Sequence, residues 1–122
     1  MVLGKALMGA DGTSHTMTGL LGHVTSFADR KMHLGYRELS PLGDAPWSGT
    51  LSGHEFHYSD WVGRPDDLGH AYRVSPRMRE QVRQEGFVSD HLLASYVHLH
   101  FGANGEIARN FVTTCRDWKE GN

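Results

Sequence analysis

Glycine occupies 15 of the 122 positions, against an average near 7%. Each glycine opens left-handed backbone conformations and weakens the interior of a helix or strand. A chain so punctuated is expected to turn often and to bring backbones close together, which excludes a helical bundle or coiled coil. With 39% hydrophobic and 21% charged residues, it has the composition of an ordinary globule with enough chain for one core.

The formal net charge is −2 with histidine neutral. The basic residues gather only at Arg77, Arg79 and Arg83, so no nucleic-acid footprint is expected. No stretch approaches a membrane span, and Met1 to Ala10 lacks the charged-then-apolar order of a secretory signal. The expected location is the cytoplasm. The single cysteine, Cys115, can form no internal disulfide and no cysteine zinc site.

Leu3, Leu7 and Met8 stand at helical spacing, so the first eight residues read as the tail of a helix. Residues 9–14 read as a loop, and the glycine-broken run from Met17 to Ser26 as a strand end. Lys31 to Leu39 has the two-residue period of a strand, with Met32, Leu34 and Tyr36 on one side. Residues 50–59 form a second strand candidate. Two short β pieces, 71–74 and 86–88, flank a stretch from Pro76 to Gln84 that favours a helical turn. Leu92 to Phe101 is the strongest strand pattern, placing Tyr96, His98 and His100 on one face. Asn104 and Glu106 then start a helix. Its apolar stripe, Ile107, Phe111, Cys115 and Trp118, is expected to pack on a sheet. The class is α/β, a mixed sheet with a late β-loop-α unit.

Nine histidines supply the chemistry. His98 and His100, two apart near a strand's carboxyl end, suit general-base work at neutral pH. The bland alternative is one core and one surface imidazole. In His54-Glu-Phe-His57 a strand would put Glu55 beside His57, where the carboxylate can fix an imidazole tautomer. The same histidines leave open a metal-binding or interaction domain. Cys115 is read as structural, because a thiol inside an apolar stripe lacks the exposure of a nucleophile.

Four ordered segments carry a resemblance: Met17-Thr-Gly-Leu-Leu21, Thr25 through Arg37, Gly53-His-Glu-Phe-His-Tyr-Ser59, and Ala94-Ser-Tyr-Val-His-Leu-His-Phe-Gly102. Together they resemble the carboxyl-terminal, class I glutamine amidotransferase-like domain of the cobyrinic acid a,c-diamide synthase family. The resemblance implies an ATP-dependent, glutamine-hydrolysing enzyme of cobalamin biosynthesis that amidates the a and c carboxylates of cobyrinate or hydrogenobyrinate. It implies His100 as the base, His98 as its neighbour, and His54, Glu55 and His57 as a supporting group. Phe101 and Gly102 stand where class I enzymes usually continue with Pro and Glu.

In the family, a cysteine elbow precedes the segment matching Met1 to Gly4. Residues 1–122 are therefore expected to be the later portion of a glutaminase domain without its nucleophile, inactive alone. ATP, Mg2+ and the corrinoid are expected on an amino-terminal domain, and no cofactor or metal on this chain. An unpaired sheet edge is expected to drive homodimerisation.

Overall fold

The computed structural model describes residues 1–43, 45–63, 69–75, 81–89 and 91–121. In chain order the strands are β1 (Ala6–Met8), β2 (Ser14–Thr16), β3 (Val24–Ser26), β4 (His33–Pro41), β5 (Leu51–His57), β6 (Asp60–Val62), β7 (Tyr72–Val74), β8 (Arg83–Glu85), β9 (Phe87–Ser89), β10 (Leu92–Ala94) and β11 (His98–Leu99). A 3-10 turn, Phe101–Ala103, leads into the helix α1 (Gly105–Glu120). The chain forms two compact units, residues 1–34 with 56–67 and residues 35–55 with 68–122. Among the described residues the α/β class is met as sheets with one carboxyl-terminal α-helix. Among the described residues no helix is long and apolar enough to cross a membrane.

The first unit is built on the four-stranded order β2-β1-β3-β6. β1 is antiparallel to β2 and parallel to β3, while β6 is antiparallel to β3. The helical tail expected over residues 1–8 is thus a turn and a strand. Its short stretch of helical spacing yields to pairing: Lys5 N–H donates to the His23 carbonyl, and Met17 N–H to that of Lys5. Gly4 is buried against His23, and a Cβ there would lie 2.9 Å from both its Nε2 and its carbonyl oxygen. The predicted loop at 9–14 is the β1–β2 turn, where Asp11 accepts the Thr13 amide and Gly12 takes φ +82°.

The second unit contains the order β11-β5-β4-β7-β8 and the β9–β10 hairpin. Leu39, Leu51, Tyr72, Val74, Val97 and Ile107 form its core with Trp47 and Val88. The period predicted over Lys31 to Leu39 is correct, and the expected face is the outer one. Met32, Leu34 and Tyr36 are exposed, whereas Arg37 and Leu39 are buried. Leu39 opposes Val74 in register, and this pairing fixes which parity faces inward.

The long strand expected over Leu92 to Phe101 is two strands, β10 and β11, separated at residues 95–97. In the predicted helical turn, residues 76–80 lie outside the described residues, while Arg83 to Glu85 form β8 and pair with β7. The helix begins as expected, with Asn104 accepting the Glu106 amide at 2.9 Å. Of its stripe only Ile107 is buried. Phe111, Cys115 and Trp118 are exposed, so the description of Cys115 as a packed core thiol is corrected. These three side chains line an apolar groove with Trp47, Val88 and Leu92.

Candidate functional site

Alternation along β5 separates two chemistries. His54 and Phe56 turn toward the outer face, while Glu55 is completely buried. On the outer face His54 meets Tyr36 of β4 edge to face, with ring centroids 5.4 Å apart. On the other side of β5, His98 stands directly opposite His54 in the antiparallel register, which puts their side chains on one face. Tyr36, His54 and His98 thus form a row across three strands.

His100 lies just beyond β11. Its amide still donates to the Ser52 carbonyl at 3.0 Å, and its own carbonyl accepts the first bond of the 3-10 turn. Gly102 borders the ring, and a Cβ there would sit 3.4 Å from Nε2. Both strand-end imidazoles are exposed, so they can exchange protons with solvent or a reacting group. Val97, immediately before them, packs so closely on Gly53 that a Cβ at that glycine would overlap it.

The inner face is polar at one end. Arg37 Nε donates to Glu55 Oε2 at 2.6 Å, and Arg83 Nη2 reaches both carboxylate oxygens at 2.6 Å. A second buried carboxylate, Glu85, opposes Tyr72 and accepts from Ser95 Oγ at 2.5 Å and from the Tyr96 amide at 2.8 Å. Burial pushes the Glu85 carboxyl above its ordinary pKa, and the Glu55 charge adds to this; Ser95, Tyr96 and Arg83 pull the other way. Burial also pushes the Tyr72 hydroxyl well up.

His57 belongs to the first unit. It stacks on His33 with centroids 4.6 Å apart, and its Nδ1 lies 2.8 Å from the Ser59 carbonyl. That oxygen can only accept, so the His57 proton sits on Nδ1. His33 Nε2 lies 3.0 Å from Asp60 Oδ1. The backbone alternation expected of Glu55 and His57 is present. The partners seen for Glu55 are Arg37 and Arg83, and those for His57 are Ser59 and His33.

The structure thus brings His54 and His98 together, with His100 two residues beyond. Among the described residues no group of three or more His, Cys, Asp or Glu side chains is placed to hold a metal ion. Sequence reading overlooked Arg37, Arg83 and Glu85. The usable signal was parity: Arg37 shares its strand face with Leu39, and Arg83 and Glu85 share theirs.

Residues 1–106 match the model of the CobB/CobQ-like glutamine amidotransferase domain. The chain is 44% identical over 101 residues to the hydrogenobyrinate a,c-diamide synthase of Brucella anthropi, covering 81% of this chain and 22% of that protein. It is 40% identical over 121 residues to the cobyrinate a,c-diamide synthase of Syntrophotalea carbinolica, covering 95% of this chain and 26% of that protein. With the hydrogenobyrinate a,c-diamide synthase of Rhodobacter capsulatus the identity is 42% over 105 residues, 84% of this chain and 24% of that protein. The chain therefore spans about a quarter of the length of these relatives. Through this match over most of its length, the chain belongs to the family of CobB/CobQ-like glutamine amidotransferase domains.

Proposed function

We propose that this chain is the imidazole-bearing portion of a glutaminase domain that feeds ammonia to amidation of the a and c carboxylates of cobyrinate or hydrogenobyrinate. The observation that carries this reading is the exposed strand-end pair His98 and His100 in a chain of this family. In such chemistry a thiol gives its proton to an imidazole as the sulfur attacks the glutamine amide carbon. The C–N bond then breaks as the imidazolium protonates the departing amide nitrogen, releasing it as ammonia, and water hydrolyses the thioester to glutamate and the free thiol.

His100 is assigned as the base, with His98 beside it and His54, opposite His98 in the register, in support; Glu55 is taken up by Arg37 and Arg83 instead. The register of His98 opposite His54 favours a second reading in which His98 takes the proton. Cys115, on the helix that follows the histidines, is not the attacking thiol. The nucleophile comes from another polypeptide segment, and the chain alone is inactive. ATP and Mg2+ belong with the part that activates the corrinoid carboxylate.

Purified chain incubated with glutamine should release no ammonia above background; release abolished by Cys115→Ser would overturn the reading. Addition of a fragment carrying the cysteine elbow should restore release. His100→Ala should then abolish it and His98→Ala only weaken it, whereas the reverse ranking selects the second reading. Self-association through a sheet edge is part of the same proposal, and sedimentation showing only monomer at micromolar concentration would contradict that part.

A further inference from the structure

Glu85 is 4% exposed at the end of β8, an edge strand of its sheet. Burying a carboxylate costs several kcal/mol unless its oxygens are well satisfied. Arg83 shares its strand face and Tyr72 opposes it, yet its two hydrogen bonds run to neither. Both run to consecutive residues of the link between β10 and β11, the Ser95 hydroxyl and the Tyr96 amide. Ser95 Oγ in turn accepts the Val97 amide at 2.9 Å. Three successive positions are thereby tied, directly or through one hydroxyl, to a single side chain.

The next residue is His98. From there the chain is held by the His98–His54 register and by the His100 amide on Ser52. Gly86 permits the close approach: it adopts φ +76°, and a Cβ would lie 3.0 Å from the Ala94 carbonyl oxygen. The glycine and the glutamate together bring β8 against the link that interrupts what would otherwise be one long strand. A carboxylate is well suited to the task, since it accepts from a hydroxyl and an amide at once with no donor of its own to satisfy.

We propose that Glu85 is a positioning residue for the His98/His100 pair, acting through Ser95, Tyr96 and Val97. The proposal rests on the reading that these imidazoles do the proton transfer. Glu85 fixes where β11 starts, and hence where both rings are presented. Tyr72 on β7, Glu55 on β5 and Arg83 on β8 are the ionisable groups that act on it.

The test uses the 122-residue chain and backbone amide exchange by nuclear magnetic resonance. Glu85→Ala should speed exchange about tenfold or more at Tyr96, Val97 and His100 and weaken the cross-strand contact between His54 and His98. Leu39 and Val74 should be unaffected. Ser95→Ala leaves the charge intact and should reproduce the effect at Val97 and His100, which also decides the matter if Glu85→Ala fails to fold. Glu85→Gln retains an acceptor for Tyr96 and should restore that amide's protection and part of the His98 and His100 imidazole signature. Unchanged His100 exchange and an unchanged His54–His98 contact in the alanine variants would overturn the proposal. So would acceleration spread evenly over the whole sheet. No ammonia is measured, so failure of the glutaminase reading is recognised separately.

Discussion

Arg37 and Glu55, 18 residues apart, meet in the interior of the second unit at 2.6 Å, with the carboxylate fully buried and the arginine side chain 6% exposed. The contact neutralises a carboxylate that could not otherwise remain there ionised. Arg83, whose side chain is 40% exposed, supplies the second cation. Arg37→Met should therefore cost about 3 kcal/mol, because half of the compensation is lost while the buried charge remains. Adding Glu55→Gln should recover most of that loss. Urea unfolding of the single and double variants measures both, and an Arg37→Met loss below about 1 kcal/mol would refute the assignment.

Gly53→Ala should destabilise the second unit by about 1–3 kcal/mol, the usual range for a forced overpacking. The new methyl would overlap Val97 and press on the His98 carbonyl oxygen, 3.0 Å away. The same change should disturb the His54–His98 register, visible as shifted imidazole resonances. A neutral effect on unfolding would show that β11 stands further from β5 than described.

His23 is buried against Gly4 and Trp61 in the first unit. Burial first, and the nearby amino-terminal charge second, lower its pKa from 6.5. A base depressed in the folded state adds stability that is present above its unfolded value and lost as pH falls through the folded one. Stability should accordingly decline as pH drops below about 6.5. An imidazole titration of His23 with its midpoint at or above the free-histidine value would contradict this.

Cys115 is exposed on α1. A thiol reagent should label it in the native protein at close to the rate seen in denaturant, as expected where exposure controls reaction. A core thiol would be slowed by orders of magnitude, and slow labelling in a verified monomer would restore the packed description.

Much of the fold was legible because it depends on local chemistry. Asn104 caps the helix through its own side chain, Asp11 closes the β1–β2 turn by accepting the amide two residues on, and the alternation over residues 51–57 is a strand. Four short ordered segments were enough to identify the family. The candidate site was legible in part: the alternation running into Gly102 puts His98 and His100 at a strand's carboxyl end, where β11 stops at Leu99.

Other features depended on partners distant along the chain. Local alternation specifies a strand's period and leaves its inward parity open. On β4 the face bearing Leu34 and Tyr36 lies outward, because Leu39 pairs with Val74 and Arg37 with Glu55. The break at residues 95–97 depends on Glu85, 10 and 11 residues earlier. The exposure of Cys115 depends on how far the helix stays docked beyond Ile107. The sequence by itself determined the family, the turns, the cap and the histidine spacing, since each is written in neighbouring residues. Only tertiary structure settled which faces are buried and which carboxylates are paired, because burial and charge compensation are properties of the assembled sheet.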